Sequence, residues 1–167
     1  HLPFRSWCRH CVEARQPHWP HSAGAGLDRD PGALPEVHSD YAFFRNERGG
    51  ETAPVVVLKE RDSRAIAAHV VPYKGGDHDW TVEQTLRDLK KWGLRGDVIV
   101  RSDQEDALKA FVAELLKARQ ADGNSGRTMK EDSPVGESQS NGFVEAGVKS
   151  LEGVVRTLKF ALEARIQ

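Results

Sequence analysis

VHSDYAFFRNERGGETAPVVVLKERDSRAIAAHVVPY, residues 37 to 73, decides the fold. Three apolar runs are parted by short polar stretches. Val37 to Arg45 carries Tyr41, Phe43 and Phe44 and is expected to be a strand. Asn46 to Thr52, with Gly49 and Gly50, reads as a turn. Pro54 to Lys59 is continuously apolar, which suits a central strand covered on both faces. Arg61 to Arg64 is a polar turn, and Ala65 to Tyr73 is a third strand. Three strands joined by short turns predict an antiparallel meander.

Downstream the period changes. Thr81, with Gln84 three residues on, has the form of a capping box. Val82, Leu86 and Leu89 make the apolar stripe of the helix it would open, and Gly93 is its expected stop. Asp97 to Arg101 is a short fourth strand. A second helix is expected over about Glu105 to Arg119, with Leu108, Phe111, Val112, Leu115 and Leu116 on one face. Residues 121 to 140 are polar, with a short strand near Arg127 to Lys130. From Asn141 a long helix is expected to turn Val144, Val148, Leu151, Val155, Leu158 and Leu162 toward the core. The order β-β-β-α-β-α-β-α predicts an α/β layered sandwich with a mixed sheet.

Upstream lie two segments of other character. Residues 1 to 21 are rich in Arg, His, Trp and Pro, and residues 22 to 35 read as a Gly/Ala/Pro linker. The periodic part, 36 to 167, is the expected folded core. The first residue is His1, and Gln167 falls inside a helical pattern, so the chain reads as a fragment of a longer polypeptide. Its 167 residues suffice for one domain with a sizeable core. The formal net charge of -1 does not advertise nucleic acid, so DNA binding would rest on local patches. No apolar run is long enough to span a bilayer, and no signal-peptide pattern is read in the opening residues. Two cysteines, Cys8 and Cys11, suggest no disulfide framework, and an intracellular setting is the default.

Three acids stand out by position. Asp40 lies inside the first strand, where Asp is disfavoured because its side chain competes for backbone hydrogen bonds. Asp103 ends a short apolar strand just before a helix, at the kind of sheet rim where open α/β folds bind ligands. Glu145 lies near the start of the last helix. Carboxylates from separate elements suit phosphodiester transfer, in which magnesium ions share them with water and substrate phosphate. Each acid also has a plainer reading: Asp103 as an N-cap, Glu145 as a favourable acid in a helix's first turn.

The stretches around these acids resemble the catalytic motifs of retroviral and retrotransposon integrases. VHSDYAFF fits the first-aspartate strand, and IVRSDQEDALKAF (Ile99 to Phe111) resembles the second-aspartate motif. SPVGESQSNGFVEAGVKSLEGVVRTLK (Ser133 to Lys159) resembles the glutamate motif, a polar Gly-containing loop before a basic helix. The last helix looks most like those of copia-like elements. The resemblance covers about residues 37 to 167. It implies an RNase H-like fold, with a mixed five-stranded sheet flanked by helices. It further implies that Asp40, Asp103 and Glu145 are catalytic and ligate Mg2+ or Mn2+. The interval 145 − 103 = 42 exceeds the usual family spacing, and Glu137 is the nearest competitor for the glutamate role.

Family chemistry would be nicking of a DNA end, then attack of its 3′-hydroxyl on target DNA. Partners would be element ends, target DNA and a second copy of the chain, with no membrane. Action on host DNA would place the protein in the nucleus. Lys149 lies one helical turn beyond Glu145, and Arg156 and Lys159 continue that stripe. Together they could form a basic ridge for phosphates or a solvated helix face. Ser140 and Asn141 could contact DNA or cap the last helix. Cys8-x-x-Cys11 has zinc-knuckle spacing. It resembles the end of the integrase His/Cys zinc domain, with His1 as a remaining ligand. That site would be complete only in an intact parent protein, and residues 1 to 35 are expected to be poorly ordered. Asp77, His78 and Asp79 read as turn and capping residues, and His69 as a packed or edge histidine. Two other functions stay open: a nuclease of the same fold, and a non-catalytic nucleic-acid-binding fragment of a decayed element.

Overall fold

The computed structural model describes residues 5–14, 32–44, 52–75, 79–132 and 138–166, without the side chains of 138–141. The chain divides into two compact units. One comprises His1–Ala33 and Ala146–Gln167, the other Leu34–Glu145.

The larger unit is built on a five-stranded sheet. Its strands are β1 (Glu36–Phe43), β2 (Pro54–Glu60), β3 (Ile66–Val70), β4 (Val98–Ser102) and β5 (Thr128–Asp132), in the order β3-β2-β1-β4-β5. β1 and β2 pair antiparallel, as do β2 and β3, which is the expected meander. β4 pairs parallel to β1 on one side and to β5 on the other. The sheet is therefore mixed and five-stranded, as the motifs implied. All seven residues of β2 are buried, as its unbroken apolar run predicts.

Period-two alternation sorts β1 between two faces. Val37 and Tyr41 join the hydrophobic core, with Val56, Leu58, Val98 and Val100 from neighbouring strands. Helices α2 (Asp79–Lys91) and α3 (Asp106–Ala121) supply Val82, Leu89, Leu108, Phe111, Val112 and Leu115 to that core. Glu36, His38 and Asp40 point to the opposite face. There Phe143, near the start of α4 (Ser138–Ile166), stacks on His38 at 4.8 Å between ring centroids. Lys59 donates to the Phe143 carbonyl at 2.8 Å and lies 4.1 Å from its ring centre.

Three boundary expectations are corrected. α2 begins at Asp79, so Thr81 is a buried residue of its first turn and not its cap. Asp79 at that end complements the helix dipole. α4 begins at Ser138, so the polar residues before Asn141 open the helix instead of preceding it. β3 stops at Val70, where Pro72 lacks the N–H needed to extend the ladder. Gly93 does end the helical segment: at φ 78° it lets its own N–H reach the Lys90 carbonyl and the Leu94 N–H reach Leu89, a Schellman closure.

The smaller unit contains α1 (Arg9–Glu13) and most of α4. Residues 5–14 are described and are helical over α1; most of the segment expected to be poorly ordered lies outside the described residues. Cys8, Cys11 and Ala14 are buried, and Arg156 of α4 donates to the Ala14 carbonyl at 3.3 Å. The apolar row of α4 is not the core face that its periodicity suggested. Val144 is buried, but Val155, Leu158 and Leu162 are 41%, 59% and 58% exposed. Periodicity identifies residues that share a helix face; it does not say what covers them.

Candidate metal and nucleic-acid site

The parallel register of β1 and β4 places Ser39 opposite Ser102. Asp40 and Asp103 each follow one of these partners in sequence. Asp40, still inside β1, and Asp103, just past the end of β4, therefore fall side by side at the rim where β4 ends. β3, two antiparallel steps from β1, runs in the same direction, and so does β5. Four strand C-termini thus open onto this rim, which suits it to ligand binding.

Each aspartate is oriented by a backbone N–H. Asp40 Oδ1 accepts from Tyr41 N–H at 2.7 Å. Asp103 Oδ1 accepts from Glu105 N–H at 3.0 Å. The N-cap position of α3 falls at Glu105, so Asp103 closes the strand-to-helix turn and does not cap the helix. Glu145 is exposed near the start of α4, within the same unit as the aspartates.

The electrostatics tie these acids together. Burial pushes the Asp40 carboxyl up to about 6; the Tyr41 N–H opposes this, and the charges of Asp103, Glu105 and Glu145 add to it. Asp103, Glu105 and Glu145 thus all raise the Asp40 carboxyl. Crowded carboxylates that hold a proton near neutrality form a donor set that a divalent cation relieves. Among the described residues, no three His, Cys, Asp or Glu side chains lie close enough to hold one ion together. Asp40 and Asp103 thus fit a metal as two oxygen donors on one rim, and a third donor would have to close in.

Two neighbours were not anticipated. Glu105 pairs with Lys74, which follows β3 onto this rim. The Lys74 ammonium also lies 5.3 Å from the ring centres of Tyr41 and Phe43. Glu105 read only as the start of a helix, and no sequence signal marked Lys74. Their meeting depends on β3 running parallel to β1, which the meander implies but local motifs do not show.

The remaining candidates are placed as follows. Lys149, Arg156 and Lys159 lie on the part of α4 that belongs to the smaller unit. Arg156 is engaged with the Ala14 carbonyl and with Glu152 at 3.9 Å, so it is not a free member of a basic ridge. Ser140 and Asn141 lie in the first turn of α4, and their side chains are outside the described residues, as are His1, Glu137, Asp77 and His78. Cys8 and Cys11 are both free thiols on or beside α1. His69 is packed as expected, 2.9 Å from Asp88 Oδ2 and edge-on to Trp80.

No protein-family model and no curated relative matches the chain. Among solved structures, it is similar to a chain of the cryo-EM structure of the simian T-cell lymphotropic virus intasome in complex with PP2A regulatory subunit B56 gamma. That match has a TM-score of 0.51 and 18% identity over 84% of this chain and 45% of the other. A second similar structure is the HTLV-2 integrase catalytic core domain in complex with magnesium, in a dimeric form. There the TM-score is 0.40 and the identity 15%, over 60% of this chain and 64% of the other. The chain therefore spans less than two thirds of either. At such identity the likeness is one of fold. Together with the strand order, it makes the larger unit an RNase H-like fold of the integrase-core type.

Proposed function

We propose that this chain carries the catalytic core of a DNA-integrating polynucleotidyl transferase from a retroelement, dependent on magnesium or manganese. The observation that carries the reading is the parallel register of β1 and β4, which sets Asp40 and Asp103 side by side where β4 ends. The charge of Glu145 reaching Asp40 supports it. The integrase motifs around all three acids, and the copia-like character of the last helix, supply the reaction class and the origin.

In this reading Asp40 and Asp103 hold the metal and Glu145 completes the set. When bound, divalent metal would lower the charge barrier between attacking oxygen and phosphodiester and stabilise the leaving 3′-oxygen. Asp40 must first give up the proton that burial and its acidic neighbours favour. Tyr41 N–H and Glu105 N–H fix one oxygen of each aspartate, which orients the other without covalent participation by the protein. Water would attack first, at a DNA end. The freed 3′-hydroxyl would then attack target DNA, each step exchanging one phosphodiester oxygen for another. Lys149 and Lys159, with Ser140 and Asn141, would contact the DNA backbone, and action on host DNA would be nuclear. Zinc would bind through Cys8 and Cys11 only with ligands beyond this pair.

A second reading is a nucleic-acid-binding module without activity. It is favoured by the absence, among the described residues, of three metal-competent side chains within reach of one ion. Strand transfer from a labelled DNA end, with magnesium or manganese, separates the two. The proposal expects joined products that Asp103→Asn abolishes while the variant stays folded. Cleavage without joining would indicate a plain nuclease, and binding without either product would indicate the inactive module.

A further inference from the structure

Lys59 is a buried charge that the functional reading leaves unused. It is 7% exposed, on a strand whose every residue is buried. Among the described residues its ammonium meets no carboxylate. Its partners are the Phe143 carbonyl at 2.8 Å and the Phe143 ring, whose centre lies 4.1 Å away. A buried cation without a counter-charge is costly where an apolar residue would not be. The β2–β3 loop bears on the same ring. Arg64 has φ 60°, a left-handed backbone that favours glycine, yet it carries a guanidinium whose carbon lies 5.1 Å from the Phe143 ring centre. His38, the cross-strand partner of Lys59, stacks on that ring at 4.8 Å. Side chains from β1, β2 and the following loop thus converge on one residue of α4. Two of them put a cation on its aromatic face, within the range where that attraction is significant.

We infer that Phe143 is a positioning residue for Glu145: its ring, gripped by Lys59, Arg64 and His38, seats the start of α4 on the sheet and holds the glutamate beside the aspartate rim. The inference rests on the proposed metal function. Phe143 and Glu145 are two residues apart on one helix, so seating the first sets the reach of the second. His38 precedes Asp40 by two residues on the same strand face, a span of about 7 Å, so the seat lies next to the rim. A third donor must close in on Asp40 and Asp103, and the seat limits how far the helix start can stray from them. The buried ammonium and the left-handed arginine, both unfavourable alone, are explained together by this one contact.

Manganese titration of the whole chain, followed by the electron paramagnetic resonance of the free ion, tests the inference. Phe143→Leu keeps the apolar bulk and loses the aromatic face, and should weaken manganese binding by about fivefold. Phe143→Tyr should retain wild-type affinity. Arg64→Gly should also weaken binding, while its urea midpoint stays level or rises because glycine accepts the positive φ. Glu145→Gln should weaken binding in the wild type and have little further effect beside Phe143→Leu, whereas Asp103→Asn should weaken both backgrounds. Losses from Phe143→Leu and Glu145→Gln that add in full overturn the inference and leave the metal function standing. So does a Phe143→Leu chain that binds manganese as well as or better than the wild type. Full affinity in Arg64→Gly overturns the part given to Arg64. A wild type that binds no manganese overturns the metal function, and the inference falls with it.

Discussion

At Asp40, burial and neighbouring charge act in the same direction. The folded carboxyl sits at about 6, above its ordinary 3.8, so protonation is favoured more in the folded chain than in the unfolded one. This contribution to stability is fully present below about 4 and lost as the pH rises through about 6. Asp40→Asn is therefore expected to stabilise the protein at neutral pH by about 2 kcal/mol, a gain that fades in acid. Urea titrations at both pH values would check it, and an unchanged or lowered midpoint at neutral pH would contradict it. His38 has the opposite sign. Burial lowers the imidazole from 6.5 to about 4, against the pull of Glu36. The unfolded chain takes up that proton first, so stability drops as the pH falls from 6.5 toward 4. His38→Gln should remove on the order of 1–2 kcal/mol of this acid-side loss, read as a flatter stability profile. Glu36 is opposed by burial yet held below its usual range by Arg61 and Arg101, so its carboxylate stays charged beside a neutral His38. Asp40 was legible in the sequence because an acid inside an apolar strand is costly. His38 was not, since Phe143, which packs on it, comes from distant chain.

Among the elements, β5 shows how a short polar strand is held in a sheet. Its burial pattern is almost wholly exposed, so little apolar packing recruits it. Arg119, buried near the end of α3, does so by hydrogen bonding. Its Nε donates to Thr128 Oγ1 at 2.6 Å, Nη1 to the Leu94 carbonyl at 3.0 Å and Nη2 to the Gly96 carbonyl at 2.9 Å. One guanidinium thereby ties the start of β5 to the α2–β4 connection. At the same junction Gly126 approaches so closely that an added Cβ would lie 2.4 Å from the Gly96 carbonyl carbon. Arg119→Met keeps the helix and much of the volume but strands two buried carbonyls. It is expected to cost about 3 kcal/mol. Hydrogen exchange should show β5 amides losing protection before those of β1 and β2. Uniform loss across the sheet would argue against this local role. Arg119 read from sequence as a basic residue at a helix end. Its burial depends on where β5 and the α2–β4 connection meet it, with partners 9, 25 and 23 residues away that no local motif records.

For the whole molecule, the metal reading has a consequence separate from activity. A cation that binds the folded rim stabilises the protein by mass action. Binding needs deprotonated ligands, so the stabilisation should grow as the pH rises through about 6. Thermal unfolding with and without magnesium should show a rise in Tm, at roughly 2–4 °C per kcal/mol. Asp103→Asn should erase it. A Tm indifferent to magnesium at every pH would favour the non-catalytic module. Much of this framework was readable from the residues alone. Apolar runs of period two and stripes of period 3.6 determined the order of strands and helices, because burial of those side chains drives each element to form. An acid in the middle of an apolar strand, and another between a strand and a helix, likewise announced themselves as costly. Tertiary structure alone decided which elements meet: the parallel pairing that brings Asp40 and Asp103 to one rim, the Lys74–Glu105 pair beside them, and the exposed row on α4. Local chemistry specifies which face of an element is apolar. What covers that face depends on distant chain, and no nearby residue encodes it.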